Sequence, residues 1–328
     1  MERNRPNFSS RIGFIAAAAG SAIGLGNIWR FPFLVGLGGG AIFLLVYLII
    51  IFSICYPILI TEIAIGRGAQ KSASGAFRSL RFPNWSFIGL LTVVCSVLIL
   101  SFYIIVSGWV LGYFVEILTG NFNIGQQFSG FTSDIFRVSV YSILFMAATA
   151  TIVSGGVTRG IERANRIMMP LLFTILIFLV VYSLTLPGAR EGLKFYLIPD
   201  FSKINLSVIY SALGQGFFSL SLGMGTMLTY GSYLSRKENI PSSAVIITLA
   251  DFSIAFMAGL MIFPMVFTQG ISTQGGTGLV FIAMPGIFGT MGPVFGTLIG
   301  SLFFLLLGFA ALTSTISLLE LPVSYFVD

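Results

Sequence analysis

A long apolar segment interrupted by glycine constrains this chain more than any other feature. Residues 12–35 carry one charge, Arg30, and are long enough to cross a bilayer as a helix. In their midst lies Gly20-Ser21-Ala22-Ile23-Gly24-Leu25-Gly26-Asn27-Ile28-Trp29-Arg30-Phe31-Pro32. Gly24 and Gly26 are poor helix formers that let the backbone leave helical geometry, which frees carbonyls and amides that hydrocarbon cannot satisfy. The cheapest partners are a small cation for the carbonyls and an anionic group for amides at a half-helix N-terminus, so the interruption reads as a binding site. Gly20 and Gly24 could also simply let two membrane helices pack closely.

The rest of the chain sets the class. Its 328 residues are 56% hydrophobic and 9% charged, and the apolar residues fall in uncharged runs of bilayer-spanning length, so the chain is an all-α polytopic membrane protein. It has no histidine, and both cysteines, Cys55 and Cys95, lie in apolar segments, which removes most metal and thiol chemistry and implies no disulfide framework. The first apolar segment continues through Trp29-Arg30-Phe31, as a membrane helix does and a cleaved signal peptide does not.

In order, a cytoplasmic N-terminal arm (1–11) leads to spans at about 12–35, 41–66, 85–118 and 138–153. A loop with Arg159, Arg163 and Arg166 precedes a fifth span ending near 186. Residues 12–190 form a first repeat of five spans. A partial second repeat, 191–328, holds spans at 206–233, 240–267 and 294–328, with a Gly-rich extracellular loop near 268–293 that includes a short re-entrant or surface helix. Twelve of the 17 basic residues (Arg3, Arg5, Arg11, Arg67, Lys71, Arg78, Arg81, Arg159, Arg163, Arg166, Arg236, Lys237) fall on one side of these spans, which places that side and the N-terminus in the cytoplasm. The net charge of +6 is then spread over loops facing anionic headgroups of the inner (plasma) membrane, and no nucleic-acid partner is implied.

The glycine interruption recurs. Ala22-Ile23-Gly24-Leu25-Gly26 in the first span matches Ser221-Leu222-Gly223-Met224-Gly225 in the sixth, and the five spans that separate the two starts make the second copy enter from the opposite side. Paired breaks in corresponding positions of two inverted halves point to a transporter's midplane site. A dinucleotide-binding reading of Gly24-Leu25-Gly26 fails, because Trp29 stands where the third glycine belongs and no strand precedes it.

On these residues the chain resembles the neurotransmitter:sodium symporter family, and in particular its bacterial leucine-transporter-like amino-acid symporters. The resemblance rests on Arg11-Ile12-Gly13-Phe14, the stretch from Gly24 to Pro32, Gly38-Gly39-Gly40-Ala41, Glu62 with Gly66-Arg67, the stretch from Gln215 to Gly223, and Leu312-Thr313-Ser314. It implies an inverted-repeat fold with discontinuous first and sixth helices. It also implies two sodium sites. One would use the Ala22 carbonyl, Asn27, Ser219 and Asp251, completed by the substrate's carboxylate; the other would use the carbonyls of Gly20, Ile23 and Ala310 with the hydroxyls of Thr313 and Ser314.

By the same resemblance the substrate pocket would involve Ala22, Leu25, Gly26, Tyr103, Phe218, Ser219, Ser221, Met224, Ser314, Ser317 and Leu318, with Tyr103 holding the substrate carboxylate and Phe218 closing the pocket from outside. Arg5 and Phe8 would latch the cytoplasmic side against Asp328, and Arg30 would close the outer side with an acid in a later span. Amine-carrying relatives place an Asp where this chain has Gly24, so the substrate must bring its own carboxylate. Of the chloride-binding groups of chloride-dependent relatives, Tyr47, Gln215 and Ser219 are present, but Ala255 replaces the second hydroxyl. Asp251 should then supply the negative charge, and chloride is expected not to be required.

Together these imply sodium-coupled symport of a neutral amino acid, large and hydrophobic or aromatic, by alternating access. The alternatives are an ion channel, which predicts similar polar helices around an axis, and a non-transporting amino-acid-binding membrane protein. An intramembrane enzyme would need a nucleophile with an activating base, and none is evident. An inverted pair of five-span halves needs about ten spans and about eight are counted, so the second repeat is expected to be incomplete, truncated in the eighth transmembrane helix. Such a chain would retain both sodium sites without completing a transport cycle.

Overall fold

A computed structural model describes residues 7–270, 272–273 and 278–328, and the regular structure among these is helical throughout. Six helices are long and apolar enough to cross a membrane: Ala41–Ala69, Pro83–Leu118, Ile135–Ser154, Val157–Leu184, Ile240–Thr268 and Pro293–Val327. A further crossing is the pair Arg11–Ala22 and Gly26–Leu37, bent by 46°. Another is Leu206–Ser219 followed by Thr226–Ser232, each half too short to cross alone.

The breaks follow from the local sequence. Ile23 is extended (φ −81°, ψ 105°), which ends the first helix one residue before Gly24. In the sixth span Ser221, Gly223 and Gly225 all take positive φ (54°, 75° and 79°), a conformation that glycine adopts freely and serine only under local constraint. The turn into the second span likewise uses Gly39 and Gly40 at φ 87° and 78°.

One segment differs from its sequence reading. Arg159, Arg163 and Arg166 were expected in a loop, but helix runs from Val157 through Glu162 and on from Arg163 to Leu184. Arginine is a good helix former whose long stem carries its charge toward the headgroups while the backbone continues, so basic residues alone do not mark a loop. The turn sits earlier, at Gly155-Gly156, where Gly156 has φ 73°.

Packing places the two breaks together. Arg11–Ala22 lies against Thr226–Ser232, and Leu206–Ser219 lies against Gly26–Arg30, so the broken helices run antiparallel with their interruptions side by side. Ile240–Thr268, Pro293–Val327 and Arg163–Leu184 pack around Arg11–Ala22. The outside of the bundle is apolar, with Leu98, Phe136, Ile143 and Val181 exposed, whereas Asn27, Asn165, Gln215, Asp251 and Thr313 are wholly buried. That inversion suits a protein whose solvent is lipid, and it directs attention to the polar interior.

Candidate binding site at the paired helix breaks

The first break rewires its own backbone. In an unbroken helix the Gly24 N–H would donate to the Gly20 carbonyl; here it donates to Asn27 Oδ1 at 3.0 Å. The Asn27 N–H would donate to the Ile23 carbonyl but instead reaches the Gly24 carbonyl at 3.1 Å. The Gly20 and Ile23 carbonyls thereby lose their helical donors. Thr313 Oγ1 lies 3.1 Å from the Ile23 carbonyl oxygen and 3.0 Å from that of Ala310. One hydroxyl proton cannot satisfy both carbonyls, and the surplus of buried oxygens is the composition a small hard cation takes.

A second oxygen cluster gathers around Asp251. Its Oδ1 accepts from Asn27 Nδ2 (2.7 Å) and Ser219 Oγ (2.8 Å), and its Oδ2 accepts from Tyr47 OH (3.3 Å). Asn27 Nδ2 also reaches Ser219 Oγ and the Asp251 carbonyl, both at 3.1 Å. All four side chains are buried. Ala255, one turn beyond Asp251, brings no hydroxyl. Among the described residues no three His, Cys, Asp or Glu side chains converge, so these clusters offer carbonyls, hydroxyls and a single carboxylate, unlike a transition-metal centre.

Between the clusters lies a small cavity of about 20 Å³ lined by Ser21, Ala22, Gly24, Gly26, Ile99, Tyr103, Phe218, Ser219, Ser221, Met224, Ser314, Ser317 and Leu318. It brings together ten of the eleven residues expected of the substrate pocket. Leu25 lies just outside, lining a neighbouring vestibule of about 260 Å³ with Trp29, Arg30, Phe33 and Phe102. Tyr103 OH accepts from the Leu25 N–H at 2.9 Å. A Cβ on Gly24 would collide with Ser314 Oγ and stand 2.8 Å from Tyr103 OH, so no side chain fits at that position. The two breaks are also tied directly, Ser221 Oγ donating to the Ser21 carbonyl at 3.2 Å and Ser21 Oγ donating to Ser317 Oγ at 2.9 Å.

Phe218 separates cavity from vestibule. The Arg30 guanidinium lies 5.1 Å from its ring centre, within cation–π range, and donates to Gln215 Oε1 at 2.7 Å, while Gln215 Nε2 donates to the Gly26 carbonyl at 2.9 Å. The acid expected opposite Arg30 was placed in a span later than those present; among the described residues Arg30 meets the neutral Gln215. On the other side Phe8 is buried against Phe14, Tyr230 and Tyr233 and donates from its backbone to the Tyr233 carbonyl at 3.1 Å. Arg5 lies outside the described residues. Asp328 Oδ2 accepts from the Ser72 N–H.

Sequence reasoning missed several of these contacts. Ser21 stood inside the quoted stretch with no role attached, and Ile99 is one apolar residue in a long apolar helix. Glu162 is buried and accepts from both the backbone and the hydroxyl of Ser9, pinning the arm to the fifth span. The signal for it was a lone acid among basic residues.

Comparison with known proteins decides the family. The sequence model of the sodium:neurotransmitter symporter family matches residues 5–135 and 127–328. The chain belongs to this family. The sodium-dependent transporter YhdH of Bacillus subtilis is 40% identical over 99% of this chain and 73% of its own length. The bovine sodium- and chloride-dependent taurine transporter is 26% identical over 99% of this chain and 61% of its own. The crystal structure of MhsT in complex with L-phenylalanine superimposes with a TM-score of 0.91 at 48% identity, covering 98% of this chain and 75% of that one. Family and structural relatives are transporters and not enzymes, and the multi-span symporter has the inverted-repeat fold expected of it.

Proposed function

We propose that this symporter couples sodium to a neutral amino acid with a large hydrophobic or aromatic side chain, and that both are held at the paired breaks. The observation that carries the reading is the cavity itself. Its lining combines apolar side chains at Ile99, Met224 and Leu318 with the backbone at Gly24 and Gly26 and the phenol of Tyr103. An amino acid's carboxylate suits the polar groups and its side chain the apolar ones. Gly24 leaves no fixed acid for an amine, and MhsT, the 48% identical relative, was crystallised with L-phenylalanine.

In this reading the Thr313 cluster, with the Gly20, Ile23 and Ala310 carbonyls and Ser314, holds one sodium ion. The Asp251 cluster, with Asn27, Ser219 and the Ala22 carbonyl, holds a second that also touches the substrate carboxylate. Asn27 turns its carbonyl oxygen toward this ion, and the ion replaces the Asn27 amide as the partner of Asp251. Because Asp251 already carries a negative charge next to Tyr47 and Ser219, transport does not require chloride. Phe218 under Arg30 is the outer closure, and Phe8, with Arg5 and Asp328, belongs to the inner one. Residues 12–190 act as the first inverted repeat and 191–328 as part of the second, with 1–11 as a cytoplasmic arm and 268–293 as an extracellular loop.

The test is competition for bound tritiated L-phenylalanine on the purified protein in sodium. Leucine, methionine and tryptophan should displace it at concentrations at least tenfold below glycine and alanine. Better displacement by glycine or alanine would overturn the substrate assignment.

A further inference from the structure

Of the buried polar side-chain atoms that lack a hydrogen-bond partner among the described residues, one lies against the first break. Asn165, in the Arg163–Leu184 helix, is wholly buried. Its Nδ2 donates to the Ile161 carbonyl of its own helix at 2.9 Å, but its Oδ1 has no hydrogen-bond partner. Turning the amide over would set the Asn165 oxygen against the Ile161 oxygen, so the orphan acceptor is fixed by the helix that carries it. A buried acceptor without a donor costs about 1–3 kcal/mol, which an apolar residue here would avoid.

The orphan oxygen is aimed at Gly20. A Cβ there would overlap Asn165 Oδ1, and only a glycine admits the contact. Gly20 is also the residue whose carbonyl is released by the diversion of the Gly24 N–H. One helical turn from Asn165, toward the start of the same helix, Glu162 pins Ser9 (Ser9 N to Oε2, 2.8 Å) and pairs with Arg166 at 3.5 Å. Asn165 therefore stands between the oxygen cluster at Gly20, Ile23 and Thr313 and the closure where the N-terminal arm meets the fifth span.

We infer that the Asn165 side-chain carbonyl is a transit ligand for the cation: the oxygen that a sodium ion, or a water in its hydration shell, meets on leaving the Thr313 cluster toward the Glu162 closure. This rests on the reading of that cluster as a sodium site. A cation crossing a low-dielectric interior needs replacement oxygens at each step, since giving up one ligand before gaining another leaves it undersolvated. Asn165 supplies such an oxygen without a charge that would trap the ion. The residue acts on the rate of release and leaves the resting ligand set intact.

The test measures 22Na+ on the purified protein in two ways, equilibrium binding and the rate of loss after dilution into sodium-free buffer. Asn165→Ala should keep the sodium affinity within about twofold of wild type and slow the loss about fivefold or more. Asn165→Asp, of nearly the same shape with a charged oxygen, should hold the ion at least fivefold more tightly at equilibrium. Should Asn165→Ala fail to fold, Asn165→Ser, which keeps a shorter oxygen, should give an intermediate rate. Loss at the wild-type rate from the Ala or Ser variant, or unchanged affinity in Asn165→Asp, would overturn the inference. Failure of the underlying site reading looks different, since Thr313→Val would then leave 22Na+ binding by the otherwise wild-type protein unaltered.

Discussion

Replacing Asp251 by asparagine tests the assignment of charge at the substrate end of the site. The carboxylate accepts from Asn27, Ser219 and Tyr47 in a fully buried setting. Asp251→Asn keeps the shape, removes the charge and puts an NH₂ group where a pure acceptor stood. It therefore either opposes the Asn27 amide or loses the Tyr47 bond. Hydrogen bonds to charged groups are worth about 1.5–3 kcal/mol, against about 1 kcal/mol for neutral ones. Exchanging the charged acceptor for a neutral one should thus weaken sodium binding by about 0.5–2 kcal/mol, roughly 2- to 30-fold. The assay is the sodium concentration that half-saturates L-phenylalanine binding, measured with chloride and with gluconate as the anion. Wild type should be indifferent to the anion. Asp251→Ser, which vacates the space of the carboxylate, should bind more tightly in chloride. An unchanged sodium requirement in Asp251→Asn, or a wild-type protein that loses binding in gluconate, would refute the reasoning.

Three further outcomes follow from the geometry. Gly24→Ala places a methyl against Ser314 Oγ and Tyr103 OH, and overpacking of this kind costs about 1–3 kcal/mol, so L-phenylalanine affinity and thermal stability should both fall. Tyr103→Phe leaves the buried Leu25 N–H without its acceptor, a loss of about 1–2 kcal/mol, and equilibrium binding should weaken roughly 5- to 30-fold. Phe8→Ala empties the aromatic pocket of Phe14, Tyr230 and Tyr233. It should favour the state open on that side by about 2–3 kcal/mol, read as faster thiol labelling of a cysteine introduced by Ser21→Cys; labelling at the unmodified rate would count against the latch.

What could be read from sequence was whatever stands out against an apolar background. Glycine pairs in bilayer-length segments announced both breaks, and the structure sets them side by side. Asp251 was conspicuous because an acid within a membrane helix is costly to keep, whereas Asn27 and Thr313 were singled out through the family resemblance. Tyr103 and Phe218 were not conspicuous, since aromatic residues on greasy helices usually pack, and the family resemblance alone singled them out. Contacts between distant segments stayed hidden. No spacing rule joins Ser9 to Glu162, or Asn165 to Gly20, because helix crossing sets those pairs. The basic residues from Arg159 to Arg166 misled for a related reason: charge suggested a loop where the backbone is helical. Arg30 met Gln215 because the Leu206–Ser219 helix lies beside the Gly26–Leu37 half of the first span, a placement that only the packing of the two broken helices defines.

The central claim is that sodium and the amino acid meet at the first break, the ion contributing to the substrate's site. The most direct measurement is equilibrium binding of tritiated L-phenylalanine to the purified protein across a series of sodium concentrations at constant ionic strength, with potassium as the replacement. Binding should rise steeply with sodium and be absent in potassium, and by linkage added L-phenylalanine should tighten 22Na+ binding by the same factor. Equal L-phenylalanine affinity in sodium and potassium would contradict the account.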